Sequence, residues 1–182
     1  MIRLLVRLPL VLAIVLPIAW ALALGSAPNP EAILSDGLER FRSAFPADAQ
    51  CADVLGRAGG GARWLLARMP DIGEGRSELL RAGVVTSALH VQATLRVLPA
   101  FALLLLSGIF AGLALRERLR DHEGYASPTA AGLAQVAMGA GVFWLALFSA
   151  SPLPVSHAWL YGSSVLTSLG GTLYVANLPL RL

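Results

Sequence analysis

Four long runs without any charged residue or histidine constrain this chain more than any other feature of its sequence. They occupy Leu8–Leu24, Pro99–Leu115, Ala130–Ser156 and Ala158–Leu180. A helix that crosses the ~30 Å hydrocarbon core of a bilayer needs roughly 20 predominantly apolar residues. We therefore predict an all-α membrane protein with four transmembrane helices, whose main partner is the lipid bilayer. The stretch between the first two runs predicts an α-helical extramembrane insert.

The composition agrees with a membrane protein and argues against other classes. The chain has 182 residues, of which 56% are hydrophobic, and its mean hydropathy is +0.67. A soluble domain of this size is rarely so apolar. The basic residues are all arginines, dispersed along the chain instead of forming a basic patch, so we expect no direct contact with nucleic acid. The single cysteine, Cys51, cannot form a disulfide within the chain.

Arginines near the ends of the runs predict the orientation of the chain. Positively charged residues flank transmembrane helices preferentially on the cytoplasmic side. Arginines precede the first run and follow the second and fourth runs (Arg3, Arg7, Arg116, Arg118, Arg120 and Arg181). We therefore predict a multi-pass protein with both termini in the cytoplasm, a cytoplasmic loop between the second and third helices, and an external turn at Ser151–Ser156.

The same pattern divides the chain into three parts. Residues 1–25 form the first transmembrane helix, residues 26–81 a helical insert on the outer, periplasmic side, and residues 82–182 a stalk plus a three-helix membrane bundle. Two interpretations of the first part are open, a cleaved secretory signal and an uncleaved anchor. Its apolar stretch, Leu8–Leu24, is longer than the roughly 7 to 15 residues of a signal's apolar core, which favours the anchor.

Within the insert, the spacing of apolar residues predicts one amphipathic helix. Leu34, Leu38, Phe41 and Phe45 recur at intervals of 4, 3 and 4, the period of one helical face. This face has three potential partners: the membrane interface, another protein, or the chain itself, and packing within the chain is favoured. Further along, the glycine triplet Gly59–Gly61 predicts a turn, because no Lys-Ser or Lys-Thr follows it as a phosphate-binding loop requires.

A single long helix is predicted from Ser77 to about Arg120. About 44 residues would extend roughly 66 Å, which is well beyond the thickness of a bilayer. Its outer half carries Arg81, His90, Gln92 and Arg96. This stalk is the best candidate for an element that binds a partner.

Residues that could support catalysis or bind a metal are not grouped in the sequence. His90, His122 and His157 lack the i, i+4 pairing of a metal-binding helix motif. No G-x-S-x-G pattern provides a serine nucleophile. We therefore predict no catalytic residue, no metal and no cofactor, and we expect that the protein is not an enzyme.

Small residues predict where the membrane helices pack against each other. Ser107, Gly108, Ala111 and Gly112 form overlapping pairs at i, i+4, and Gly170 and Gly171 lie on the last helix. Such pairs let helix backbones approach closely in lipid, where the hydrophobic driving force is missing. The same function is predicted for other glycines and serines of the last two helices (Gly139, Gly162, Ser163, Ser164 and Ser168). These positions serve either the bundle within one chain or a homo-oligomer, and the former is favoured because the spans must first pack with each other.

The C-terminal part of the chain also resembles a known family. Three segments carry the resemblance: Arg116-Glu-Arg-Leu-Arg-Asp-His-Glu-Gly-Tyr-Ala-Ser-Pro-Thr129, Ser151-Pro-Leu-Pro154 and Tyr174-Val-Ala-Asn-Leu-Pro-Leu-Arg-Leu182. They resemble an uncharacterised family of integral membrane proteins encoded on integrating conjugative elements and conjugative plasmids. The similarity covers roughly the chain from Leu98 onward, and its most specific parts are Gly-Tyr-Ala-Ser-Pro-Thr and Asn-Leu-Pro-Leu.

The resemblance implies a location and a functional context. It implies the bacterial inner membrane and an association with type IV secretion or DNA-transfer genes, and it supplies no catalytic residue. The expected function is thus a non-enzymatic accessory or structural component of a conjugative apparatus, with other membrane proteins of that apparatus as partners. The alternative is a small transport or channel subunit. In the first motif, Ser127 or Thr129 is the expected N-cap of the third membrane helix.

Overall fold

The computed structural model describes most of the chain from Asn29 onward. The described residues are 15–18, 20–22, 25, 29–45, 53, 56–57, 59–61, 63–64, 67–68, 74–121 and 127–178, and side chains in the long helix are described from 77 to 119. Cys51, His122 and the predicted inner arginines Arg3, Arg7 and Arg181 lie outside these residues, as does the side chain of Arg120.

Most of the described residues are helical and none of them is in a strand, as the sequence predicts. The principal helices are α1 (Pro30–Ala44), α2 (Glu74–Asp121), α3 (Pro128–Ala150) and α4 (Ala158–Ala176). Within the first uncharged run, residues 15–18 and 20–22 are helical. The all-α class is therefore confirmed for the described residues.

Helix α1 begins at a well-formed N-cap. The Asn29 side chain accepts a hydrogen bond from the Glu31 amide at 3.0 Å, and Pro30 occupies the first turn, where a missing N–H costs nothing. The buried face comprises Ile33, Gly37 and Phe41, which pack within the chain. The predicted helix and its packing within the chain are confirmed, but the buried face differs from the predicted one: Leu34, Leu38 and Phe45 are only half-buried.

Helix α2 is one continuous helix of 48 residues, which confirms the predicted long helix. Pro99 lies inside it and has no amide N–H to donate to the carbonyl of Leu95. The helix continues because one missing hydrogen bond is small against the many that flank it.

The predicted turn at Gly59–Gly61 is wrong, because the structure places these three glycines in helical conformation. Side-chain contacts at helical spacing surround them: Arg57 pairs with Asp53 at 2.6 Å, and the Arg63 Nε donates to the Gly59 carbonyl at 3.3 Å. Glycine costs a helix about 1 kcal/mol per residue relative to alanine, which weakens the helix but does not forbid it.

The chain forms two compact units, each built from separate segments. The bundle unit comprises Val97–Leu145 and Ala158–Leu182, and the α1 unit comprises Ile2–Arg96 and Ala146–His157. The division crosses helix α2 and helix α3, so both helices contribute to both units.

In the bundle unit, α4 lies between α2 and α3. Gly108 and Gly112 of α2 lie against Ser168 and Thr172 respectively, so α2 and α4 are parallel. Gly141 of α3 lies against Thr167, and Met138 lies against Gly170, so α3 and α4 are antiparallel. α3 and α4 therefore form an antiparallel hairpin, and α4 contacts α2 as well as α3.

Two of the described helices are long and apolar enough to cross a membrane: α2, over Ser77–Leu119, and α3. A core helix of a soluble protein would be mostly buried. In α2 and α3, only 11% and 17% of the most apolar 18-residue stretch is buried. Leu103, Phe110 and Leu133 are 70%, 68% and 68% exposed. Such broad apolar exposure suits a helix surrounded by lipid.

Candidate functional site

Gly108 and Gly112 give α2 a flat surface against α4. A Cβ atom at Gly108 would lie 2.9 Å from the Ser168 carbonyl oxygen, and one at Gly112 would lie 2.6 Å from the Thr172 carbonyl oxygen. Any larger residue would collide with the α4 backbone, which cannot move aside as a flexible side chain can. The two glycines therefore set the distance between the helices.

On α4, the adjacent residues Gly170 and Gly171 face two different neighbouring helices. A Cβ atom at Gly170 would lie 2.8 Å from the Met138 amide nitrogen and 2.9 Å from the Ala134 carbonyl oxygen, both on the α3 backbone. A Cβ atom at Gly171 would meet Leu105 of α2 at 3.3 Å. The adjacent glycines thus bring α4 close to α3 and α2 at the same level.

Ser107 and Ala111, the other predicted packing pair, are exposed. The Ser107 hydroxyl donates to the Leu104 carbonyl of its own helix at 2.8 Å. Of the overlapping pairs on α2, only Gly108 and Gly112 lie against α4. A role for the exposed pair in a homo-oligomer stays a prediction.

Gly141 is a contact position that the sequence analysis missed. A Cβ atom there would overlap the Thr167 hydroxyl and lie 2.9 Å from the Ser163 carbonyl oxygen. The glycine predicted for α3 is Gly139, which is half-buried, and Gly162, predicted for α4, is exposed with open space around it. A signal was present, since Ala134, Met138 and Gly141 share one helical face at spacings of 4 and 3.

Buried hydroxyls line α4 between its two neighbours, which confirms that its serines are small polar residues at a helix interface. Ser163, Ser164, Thr167 and Ser168 are 3–7% exposed. The first three donate to carbonyls one turn earlier on α4, at 2.8–2.9 Å. The Ser168 hydroxyl instead crosses to the Leu104 carbonyl of α2 at 2.8 Å. This bond ties α2 to α4 directly.

The two motifs most specific to the family resemblance meet in the bundle unit. Ser127 precedes α3 and caps it, accepting a hydrogen bond from the Ala130 amide at 3.2 Å, which confirms the predicted N-cap. The Ser127 amide donates to the Asn177 side chain at 3.1 Å, and that side chain also donates to the Leu173 carbonyl at 2.9 Å. The motifs thus join the start of α3 to the end of α4.

Aromatic rings cluster at the other end of the bundle unit. Trp144 of α3 stacks on Trp159 of α4, with ring centroids 5.0 Å apart and an interplanar angle of 25°. Trp144 thus packs against a neighbouring helix. Both rings, and Tyr161 nearby in sequence, stay about half exposed, as interfacial aromatic residues are.

In the α1 unit, polar side chains of α2 hold the 151–157 loop. The His90 Nδ1 lies 3.2 Å from the Ser151 carbonyl oxygen, and its Nε2 accepts from the Val155 amide at 3.5 Å. The Ser87 hydroxyl also donates to the Ser151 carbonyl, at 2.8 Å, and Thr94 is hydrogen-bonded to Ser149 at 2.9 Å. Carbonyls at the end of a helix have no amide donor within that helix. Side chains of α2 provide hydrogen bonds at this end of α3 instead.

His157 lies at the end of this loop, against the Phe45 and Phe148 rings at centroid distances of 6.0 and 5.9 Å. Its Nε2 is buried without a hydrogen-bond partner in the described part of the chain. Burial lowers the pKa of His157 below 6.5, and the positive charge of Arg40 lowers it further.

The structure brings together two of the three histidines that the sequence keeps far apart. The His90 ring lies 4.6 Å from the Phe148 ring, which also contacts His157. Among the described residues, no group of three or more histidine, cysteine or acidic side chains could hold a metal ion.

Comparisons with protein-family models, with curated proteins and with solved structures give no match for this chain. The resemblance to the conjugative-element family stays a prediction from the residues quoted for it.

Proposed function

We propose that this chain is a non-enzymatic, multi-pass protein of the bacterial inner membrane that serves as an accessory or structural component of a conjugative, type IV secretion related DNA-transfer apparatus. The observation that carries its structural role is the arrangement of the bundle unit. The face of α4 that carries hydroxyls and glycines is buried against α2 and α3, and the exposed faces of the three helices carry large apolar side chains such as Leu103, Leu133 and Leu169. The conjugative context comes from the sequence resemblance alone.

Four crossings, with both termini in the cytoplasm, remain our proposal for the topology. Helix α4 has 19 residues and would extend about 28 Å, close to the thickness of the hydrocarbon core. Its hydroxyls lower its hydropathy, but they are buried and hydrogen-bonded, which makes a polar helix tolerable in lipid. The arginines Arg116 and Arg118 at the end of α2 support a cytoplasmic location for that end.

The first segment is proposed to stay attached as an anchor. The Trp20 indole donates to the Ala150 carbonyl at the end of α3, at 2.7 Å. Signal cleavage after Ala23 or Ala27 would remove this donor. The mass of the protein purified from membranes tests the point: retention predicts the full 19.1 kDa, and a loss of 2 to 3 kDa, about 23 to 27 residues, would indicate cleavage.

The stalk, residues 77–96 of α2, is proposed to contact partner proteins with the side that remains open. One side is covered within the α1 unit, where Ala82, Leu89 and Ala93 are 0–2% exposed. Val91 and Leu95 are 42% and 54% exposed. Partners of the transfer apparatus would therefore bind at the side that carries these two residues.

The channel alternative receives less support from the bundle unit. A pathway along the glycine-rich hairpin would need its glycines and hydroxyls to face a lumen. Gly108, Gly141 and Gly170 instead lie against neighbouring helix backbones, and the α4 hydroxyls donate to carbonyls.

The proposed function is tested by measuring DNA-transfer frequency from a donor that carries an in-frame deletion of this gene. We expect a large loss that the wild-type gene restores in trans. Gly170→Leu should fail to restore transfer because it breaks the contact between α3 and α4, whereas Gly162→Leu, at an open position of the same helix, should restore it. Unchanged transfer after deletion would contradict the proposal, and ion flux in vesicles would then test the channel alternative.

A further inference from the structure

The loop at residues 151–157 is attached to α2 through one face of that helix. Ser87, His90 and Thr94 follow each other at spacings of 3 and 4, so their side chains project from the same side. They reach the carbonyls of Ala150 and Ser151 and the hydroxyl of Ser149 at 2.8–3.2 Å. Of these three side chains, His90 is the one that is hydrogen-bonded to Val155, further along the loop.

The two hydrogen bonds of His90 define which of its nitrogens carries a proton. The Ser151 carbonyl can only accept, so Nδ1 must donate to it. The Val155 amide can only donate, so Nε2 must be unprotonated to accept from it. The contacts therefore require a neutral imidazole with its proton on Nδ1. A second proton, on Nε2, would make that nitrogen a donor facing the Val155 amide, which is also a donor.

The surroundings of His90 would also disfavour an added positive charge. Two charged or titratable groups act on His90, Arg40 from α1 and His157 from the loop itself, and the Arg96 guanidinium lies 5.5 Å from the Phe45 ring centroid. Among the described residues, no carboxylate forms an ion pair with either histidine. The Phe148 ring, 4.6 Å away, contributes apolar surface.

We propose that the 151–157 loop is a proton-sensitive latch, which His90 holds against α2 while its Nε2 is unprotonated and releases when that nitrogen gains a proton. On release, the Val155 amide loses its acceptor, while Ser87 continues to bind the end of α3. The effect is therefore local to the loop. This inference does not rest on the proposed function.

Amide hydrogen exchange of the full chain in lipid nanodiscs tests the latch. The quantity measured is the protection factor of the Val155 amide, which corrects for the intrinsic pH dependence of exchange. From about pH 7.5 to about pH 3.5, we expect it to fall by about tenfold or more, as the loss of one hydrogen bond predicts. The amides of Ser164–Ser168 in α4 should stay protected, because they lie outside the latch.

Two variants separate His90 from the other histidines. His90→Gln has a donor and an acceptor at any pH, so its Val155 protection should not change with acid. His122→Gln, a matched control at a position between α2 and α3 in the sequence, should respond like the wild type. The proposal is overturned if wild-type protection does not change, if His90→Gln responds like the wild type, or if α4 loses protection together with Val155.

A measurement on the wild type keeps the test valid if His90→Gln does not fold. The ¹⁵N chemical shift of the His90 Nε2 reports directly whether that nitrogen is protonated. We expect it to change with the same midpoint as the Val155 protection factor. Midpoints that differ by a full pH unit or more, about tenfold in proton concentration, would overturn the proposal.

Discussion

At the scale of single residues, glycines decide how closely the helices of the bundle unit approach. Gly108, Gly112, Gly141 and Gly170 each lie where a Cβ atom would meet the backbone of a neighbouring helix within 3.0 Å. Gly132 and Gly162, on the same helices α3 and α4, have open space around them. Alanine substitution at these two open positions is therefore a control for the effect of a methyl group at the contact positions.

We predict that Gly170→Ala destabilises the protein by about 1–3 kcal/mol, because the added methyl group overpacks the contact with α3. Gly162→Ala should be neutral or stabilise by up to about 1 kcal/mol, through helix propensity alone. Reversible unfolding in mixed detergent micelles measures both. Equal effects of the two substitutions would show that α3 does not contact Gly170.

A second residue-scale prediction concerns the pKa of His157. Because burial and Arg40 lower this pKa in the folded protein, the unfolded chain binds the proton first as pH falls below 6.5. The free energy of unfolding should therefore decrease with acid over the range from 6.5 down to the pKa of the folded state. NMR titration of the His157 ring measures that pKa directly.

Substitution of Arg40 separates the two causes of this shift. Arg40→Gln should raise the His157 pKa, which should stay below 6.5 because burial is the larger cause. Arg42→Gln, an exposed arginine of the same helix, is the control and should leave it unchanged. A His157 pKa at or above 6.5 in the wild type would contradict the burial seen in the structure.

At the scale of elements, side chains complete the ends of the helices. Ser127 caps α3, and Asn177 bonds both to the Ser127 amide and to the Leu173 carbonyl near the end of α4. The Ser87 side chain of α2 likewise donates to the carbonyls of Ala150 and Ser151 at the end of α3. Each end of the α3 helix is therefore fixed by a residue distant in sequence.

We predict that Asn177→Ala lowers the free energy of local opening at the start of α3 by about 0.5–2 kcal/mol, because the Ser127 amide loses its acceptor. Asn177→Asp keeps an acceptor oxygen and should retain most of the protection. Hydrogen exchange at residues 127–131 distinguishes the two variants. Exchange that is unchanged in Asn177→Ala would contradict the link between these motifs.

Many features of the helices and of their ends could be predicted from the sequence. The spacing of Leu34, Leu38 and Phe41 predicted α1, and the Ser-Pro pair at 127–128 predicted the start of α3, because both signals are local. The role of His90 could not be predicted, since it depends on partners that only the fold brings near. Gly59–Gly61 misled the prediction because composition suggests a turn while neighbouring side chains favour a helix.

At the scale of the whole molecule, the distribution of polarity favours a membrane protein over a soluble one. The buried face of α4 carries serines, threonines and glycines, and the exposed faces of α2, α3 and α4 carry large apolar side chains. The absence of charge alone predicted α4 as a span equal to the others. The structure adds the reason why its serines and glycines are tolerated: α2 and α3 cover them.

The topology of α3 tests the central claim, a bundle that crosses the membrane, most directly. Reporters inserted in the full chain after Gly124 and after Leu153 would show on which side of the membrane each end of α3 lies. We predict a cytoplasmic signal at Gly124 and an external signal at Leu153. Signals from the same side at both positions would contradict a membrane-spanning α3, and with it the bundle that we propose.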